Sequence, residues 1–289
     1  MVALIDAHTQ LFGIFGHPVR HSLSPILHNA AFRARGLNAV YLAFDVTDLP
    51  RAVQGVRALG ISGLSITIPH KEAVMPLLDQ VDFQALQIGA VNTIVNQEGM
   101  LLGYNTDCIG AQRALEEAFT NDQAHLAKAN GAGPSSVLSG KSAVILGAGG
   151  SAKAVAFGLK SAGMFVHVAN RTVEKAKALG EALGATFSSL NEVCDITADV
   201  LVNTTPVGMA PDIYKMPIAS ECLKNFSVVM DIVYAPLVTA LLREAEAAGC
   251  RTVNGLRMLL HQAVCQFELW TGLQAPLNVM ERALLDQIK

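Results

Sequence analysis

The stretch from Ser142 to Arg171, SAVILGAGGSAKAVAFGLKSAGMFVHVANR, restricts the fold of this chain more than any other. The apolar run Ala143–Leu146, bounded by glycines, reads as a strand buried on both faces. Gly147, Ala148, Gly149, Gly150 and Ser151 follow, and Ala152 opens a helical pattern. A second apolar run, Phe165–Ala169, starts after Gly163 and ends at Asn170-Arg171. Strand, glycine turn, helix, strand is the βαβ unit that holds a dinucleotide. The turn needs glycine because backbone must bend sharply and lie against a pyrophosphate, where a Cβ would intrude. The helix that follows aims N–H groups and a positive dipole end at the phosphates.

The tip of the second strand bears on which dinucleotide is held. A cofactor without a 2′-phosphate is usually met there by an Asp or Glu that accepts from the ribose hydroxyl. Here the tip carries Asn170, Arg171 and Thr172, with Lys175 one turn into the next helix. Singly, each cation reads as an ordinary solvated charge. Together, and with a guanidinium able to fork onto a phosphate, they favour NADP over NAD.

At 289 residues, with 51% hydrophobic and 16% charged, the chain can bury two cores and is not a disordered composition. A net charge of −3 makes no case for nucleic-acid binding. The start, MVALIDAHTQ, lacks a basic region and a long apolar run, so no signal peptide is expected, and no apolar stretch reaches membrane-spanning length. The five cysteines show no C-x-x-C spacing and read as reduced, buried thiols of a cytoplasmic protein.

Before the dinucleotide unit, strands and helices alternate. Strands are expected at Leu11–Phe15, Ala39–Val46 and Gly63–Ile68. Helices are expected from Ser24-Pro25, over Leu49–Leu59 and over Lys71–Leu78, and a hairpin about Gln97-Glu98-Gly99. A further helix is expected over Ile109–Phe119. The small, polar 121–139 segment reads as a linker, and strands at Val200–Asn203 and Val228–Asp231 extend the second sheet. The expectation is an α/β chain of two domains. Residues 1–110 form a mostly parallel substrate-binding and catalytic domain, 111–255 a Rossmann-like domain, and helices in 256–289 pack back on the first.

Hydride transfer to a carbonyl leaves an alkoxide that needs a proton. Lys71 is placed at the start of the expected helix, an unfavourable site for a cation, and Asp107 is its candidate partner. The plainer alternatives are a surface lysine beside Glu72 and an N-cap aspartate before Ile109. Ser22 and Ser24 enter a helix where hydroxyls could meet a carboxylate, though Ser24 also reads as a plain N-cap. His17, His21, His28 and His70 have no ligand spacing, and no metal site is expected.

The motifs HSLSP, SITIPHKEAV, GAVNTIV, GYNTD, GAGGSAKAVA, NRT, NTTPVGM, DIVYAP and NGLRMLLHQA, in this order over nearly the whole chain, resemble the shikimate dehydrogenase family, which includes quinate dehydrogenases. The resemblance implies reversible NADPH-dependent reduction of 3-dehydroshikimate to shikimate, in aromatic amino-acid and chorismate biosynthesis, by a monomer or homodimer. It implies Lys71 and Asp107 as the catalytic pair, and Ser22, Ser24, Thr67, Asn92, Tyr234 and Gln262 as substrate contacts. It also implies Ile232, Gly255 and Met258 around the nicotinamide, with helix packing the plainer use of Met258. Departures are Leu23 between the serines, Cys108 after the aspartate and Ala240 after Thr239; none removes a catalytic group. A relative with relaxed use of quinate or NAD is the nearest alternative. A nucleotide-holding protein without turnover and a folate-type dehydrogenase are more distant ones.

Overall fold

The computed structural model describes residues 5–123 and 136–287, so most of the expected linker lies outside the described residues. The chain divides into two compact units, Met1–Asp107 with Leu259–Lys289, and Cys108–Met258.

The first unit runs β1 (Gln10–Gly16), α1 (Ser24–Ala34), β2 (Ala39–Asp45), α2 (Leu49–Ala58), β3 (Gly63–Ile66), β4 (Gln80–Val81), α3 (Phe83–Ile88), β5 (Thr93–Gln97) and β6 (Met100–Tyr104). Its described strands form one sheet in the order β2-β1-β3-β5-β6-β4. β1 lies parallel to β2 and β3, whereas β5 runs antiparallel to both β3 and β6. The hairpin closes on Glu98-Gly99, both at positive φ (53° and 94°), the two-residue turn whose twist matches the strands. α2 begins at the carboxylate of Asp48, which accepts from the Arg51 N–H at 3.2 Å. Phe15, Val53, Val56, Leu64, Ile66 and Ile94 fill the core beneath it.

The helix expected over Lys71–Leu78 does not form. The segment is a series of turns ending in a three-residue 3-10 helix, Met75–Leu77. Pro76 lies inside it, with no N–H to give and a ring that obstructs the preceding turn. Lys71 is therefore held by a turn and is not the first residue of a helix.

The second unit carries α4 (Asp107–Gln123), β7 (Ser142–Leu146), α5 (Gly150–Ser161), β8 (Phe165–Asn170), α6 (Val173–Leu183), β9 (Thr186–Ser189), β10 (Ala198–Asn203), β11 (Phe226–Asp231), α7 (Ala240–Ala247) and β12 (Arg251–Val253). Its described strands are all parallel, ordered β12-β11-β10-β7-β8-β9. This is the doubly wound order of dinucleotide-binding domains. Alternate residues of one strand feed separate cores: Ala143 and Ile145 one, Val144 and Leu146 the other. Both faces are covered, so the strands read as continuous apolar runs.

α8 (Gly255–Thr271) and α9 (Leu277–Leu285) end the described chain, and from Leu259 they belong to the first unit. There Trp270 Nε1–H donates to the Ile94 carbonyl at 2.9 Å, and α9 packs on α1. Of the cysteines expected to be reduced, Cys194 and Cys222 are instead joined in a disulfide, with Cα atoms 4.5 Å apart; Cys108, Cys250 and Cys265 are buried thiols outside it. The two partners stand on short 3-10 helices, Leu190–Asp195 and Ser220–Asn225, that pack together across 28 residues of sequence.

No helix among the described residues is long and apolar enough to cross a membrane. None of their His, Cys, Asp and Glu side chains group as a metal site.

Candidate active site

Lys71 and Asp107 meet in the first unit. Nζ lies 2.5 Å from Oδ2, and the two side chains are only 13% and 7% exposed. The readings of Lys71 as a surface lysine and of Asp107 as an N-cap both fail. Asn105 Oδ1 accepts the Asp107 N–H at 3.0 Å, which satisfies the start of α4 and leaves the Asp107 carboxylate for other work. Its second oxygen accepts from Asn92 Nδ2 at 2.8 Å.

Asn92, 2% exposed, is held from several sides. Its Oδ1 accepts the Thr106 N–H at 2.8 Å, and its Nδ2 also lies 3.0 Å from Thr106 Oγ1 and 3.5 Å from Gln262 Oε1. The backbone donor settles the amide orientation, because a carbonyl turned toward Thr106 N–H leaves only the NH₂ for the carboxylate. Gln262 itself is anchored on α8 by donating to the Leu259 carbonyl at 3.0 Å. Lys71, Asn92, Asp107 and Gln262 thus form one hydrogen-bonded cluster, although they come from a turn, a strand edge and two helices.

Ser22, Ser24 and Thr67 belong to the same unit but are not tied to this cluster by the described hydrogen bonds. Ser24 is not an N-cap: Leu23 holds that position, Ser24 is the first helical residue, and its hydroxyl makes no cap bond. Ser22 Oγ instead accepts the Ser24 N–H at 3.3 Å. Pro25 in the first turn still starts the helix as expected, so the serine pair is displaced by one position. Thr67 is half-buried just beyond β3, its backbone N–H bonded to the Phe15 carbonyl at 2.9 Å. Tyr234 belongs to the second unit, where it is half-buried and burial pushes its phenol up.

In the second unit the glycine turn sits where β7 and β10 lie side by side and the chain order reverses, the place where open α/β sheets take ligands. Gly147 has φ +114°, and a Cβ on it would stand 2.7 Å from Thr204 Oγ1. That hydroxyl donates to the Leu146 carbonyl at 2.6 Å, so the two loops close on each other. Gly149 is the N-cap of α5 and supplies no side-chain cap, with open space where its Cβ would be. Gly150 and Ser151 form the first turn of α5, and Ala148 is half-buried between the glycines. At the end of β8, Asn170 Nδ2 donates to the Thr172 carbonyl at 2.9 Å, while Arg171, Thr172 and Lys175 are exposed. Neither Arg171 nor Lys175 forms an ion pair with the described residues.

Gly255 opens α8 directly against the chain beyond β11. A Cβ there would lie 2.4 Å from the Ile232 carbonyl oxygen and 2.8 Å from that of Val233. Met258, 6% exposed, packs into the apolar core with Ile145 and Val202. Beneath this loop stands Asp231, fully buried, which no sequence reading singled out. It accepts from Thr239 Oγ1 at 2.7 Å, Asn203 Nδ2 at 3.0 Å and the Val233 N–H at 3.0 Å. Burial pushes its carboxyl up to about 6, against the opposing pull of those donors. The sequence signal was available: Asn203 and Asp231 each end a strand and lead into a quoted motif.

Comparison with known proteins shows which family the chain resembles. The family described as Shikimate dehydrogenase substrate binding domain matches residues 14–94, that described as Shikimate / quinate 5-dehydrogenase matches 127–255, and that described as Shikimate 5'-dehydrogenase C-terminal domain matches 255–285. The chain is 48% identical to the shikimate dehydrogenase (NADP(+)) of Thermococcus kodakarensis over 99% of both chains. Among solved structures it resembles a shikimate dehydrogenase in complex with NADP+ (43% identity, TM-score 0.89, 99% and 98% of the two chains). It also resembles the Thermus thermophilus shikimate 5-dehydrogenase in complex with NADP(H) and shikimate (38% identity, TM-score 0.83, 96% and 99%). The matches run through both units: the chain belongs to the shikimate/quinate dehydrogenase family.

Proposed function

We propose that this protein is an NADP-dependent shikimate dehydrogenase, an oxidoreductase that interconverts 3-dehydroshikimate and shikimate. The observation that carries the reading is the buried Lys71–Asp107 pair, braced by the Asn92 carboxamide, which Gln262 meets in turn. Residues 1–110 with 256–289 are its substrate-binding and catalytic part, and 111–255 its NADP-binding part.

The residues fit the cofactor. An uncapped helix N-terminus behind a glycine with open space at its Cβ position suits a pyrophosphate, and Arg171 and Lys175, without ion-pair partners among the described residues, suit a 2′-phosphate. Asn170 and Thr172 would frame that phosphate, and the backbone at Ile232 and Gly255, with Met258, would border the nicotinamide. When bound, NADP supplies or accepts the hydride.

Lys71 Nζ delivers a proton to the substrate oxygen as negative charge develops there, and recovers it in the reverse direction. Asp107 keeps the ammonium in place and balances its charge in a water-poor setting. Asn92 and Gln262 offer amide groups beside the pair to substrate hydroxyls, with Thr67 and Tyr234 as further hydroxyl partners. Ser22 and Ser24 hold the substrate carboxylate. A small hydroxylated acid read in this way is separated from analogues lacking one group, because each missing partner strands a buried polar atom.

The test is NADPH formation from shikimate and NADP+, with quinate and NAD+ as the three remaining combinations. Turnover of shikimate with NADP+ well above the others is expected. Equal rates with NAD+ overturn the cofactor assignment, and preference for quinate overturns the substrate assignment.

A further inference from the structure

The Lys71–Asp107 pair ends a longer buried line of hydrogen bonds that begins on β2, at one end of the first unit's strand order. Tyr41 O–H donates to Ser65 Oγ at 2.6 Å, and Ser65 O–H to Gln266 Oε1 at 2.9 Å. Gln266 Nε2 donates to Thr93 Oγ1 at 3.0 Å, Thr93 O–H to Asn92 Oδ1 at 2.7 Å, and Asn92 Nδ2 to Asp107 Oδ1 at 2.8 Å. No residue from Tyr41 to Asp107 along this line is more than 5% exposed.

The direction of the line follows from one backbone group. Gln266 Nε2 also lies 3.3 Å from the Asn92 carbonyl, which only accepts, so the amide must present its NH₂ on that side. Its Oε1 then faces Ser65 and, at 3.3 Å, His28 Nε2, both able to donate. Thr93 Oγ1, accepting a hydrogen bond from Gln266, turns its own O–H toward Asn92 Oδ1. Each amide is thereby polarised in one sense, with its donor end toward the carboxylate, and such bonds reinforce one another in a dry interior.

We propose that Gln266 is a positioning residue for the reaction, acting through Thr93 and Asn92 to hold the Asp107 carboxylate against Lys71. The proposal rests on reading Lys71 and Asp107 as the proton-transfer pair. Gln266 stands one turn after Gln262 on α8, on the same helix face, so one helix supplies both a candidate substrate contact and the support behind it.

The experiment compares Gln266→Met, Thr93→Val, Thr93→Ser and the Gln266→Met/Thr93→Val double variant in the full chain. It measures kcat and KM for shikimate with NADP+, and NADP+ affinity by fluorescence titration. Each of Gln266→Met and Thr93→Val is expected to lower kcat about tenfold, as loss of a hydrogen bond supporting a charged group does. KM for shikimate and NADP+ affinity should stay within about twofold, and Thr93→Ser should keep parental kcat. The double variant should lose no more than the worse single, because the two residues act in series. Unchanged kcat in both single variants, losses that multiply in the double, or a parallel loss of NADP+ binding overturns the proposal. Should Gln266→Met fail to fold, Thr93→Val against Thr93→Ser decides the same question. Lys71→Met serves as the separate control: turnover retained there sinks the catalytic reading itself, whatever Gln266 does.

Discussion

Replacing one member of the Lys71–Asp107 pair, and then both, separates its part in folding from its part in turnover. The charges sit 2.5 Å apart on side chains that are 13% and 7% exposed. At an effective dielectric of about 20, two unit charges 4 Å apart already attract by about 4 kcal/mol. Taking each from water costs several kcal/mol, so the intact pair is close to neutral for stability, while a single removal strands a buried charge at about 3–5 kcal/mol. Asp107→Leu belongs at the upper end of that range, because Asn92 Nδ2 loses an acceptor at 2.8 Å as well. Lys71→Met belongs at the lower end, since Asp107 keeps its bond from Asn92 and the lysine site is the wetter of the two. In the double variant no charge remains to be stranded, and its cost should fall below the sum of the singles by at least about 3 kcal/mol. Urea titrations followed by far-UV circular dichroism give these differences. Turnover should drop by about two to four orders of magnitude in each single variant and stay low in the double, where stability recovers. Additive stability costs would show that the two charges do not share one desolvated site. Turnover returning with stability would show that they do not transfer the proton.

Asp231 should give the second unit an unusual pH dependence. Its carboxyl stands at about 6 in the folded chain against 3.8 for an ordinary aspartate, so between those values the folded state holds a proton that the unfolded state has released. This group therefore favours folding most at about pH 4 and below, and its contribution, about 3 kcal/mol, is lost as pH rises through about 6. Asp231→Asn should gain stability relative to the parent over that interval in paired urea titrations; a pH-independent difference between the two would contradict the burial argument. Arg171→Ala should raise KM for NADP+ about tenfold and leave KM for NAD+ unchanged, as expected for one charge-assisted phosphate contact; equal effects on both cofactors would remove Arg171 from the 2′-phosphate. Gly255→Ala should destabilise the chain by about 1–3 kcal/mol, since its Cβ would lie 2.4 Å from the Ile232 carbonyl oxygen, and a thermal-shift assay showing no change would mean that this junction yields easily.

The dinucleotide unit was legible because its signals are local. Apolar runs, glycines and the strand tip follow one another within one βαβ stretch, and β7, α5 and β8 form where the sequence places them. The catalytic side was legible only as candidates. Lys71 was read onto a helix that Pro76 prevents, and both Ser24 and Asp107 were read as caps. Local pattern finds the beginning of a helix to within a residue or so, yet a cap is decided by which oxygen reaches which N–H. Asn105 displaced Asp107 from that duty by standing two residues earlier. Thr93 and Gln266 gave no signal of their own, for a threonine in a strand and a glutamine on a helix are ordinary residues until something buried stands opposite them.

What the sequence alone determined is the alternation of strands and helices, the glycine turn with its cationic strand tip, and the ordered motifs that resemble a family. Periodicity and backbone freedom are properties of neighbouring residues, so they can be read along the chain. Only the tertiary structure decided that Lys71 and Asp107, 36 residues apart, share one dry site, and that α8 reaches it with Gln262 and Gln266. Pairing of buried charges and amides depends on distance in space and on the exclusion of water, and neither quantity exists until the sheet and its covering helices have closed around them.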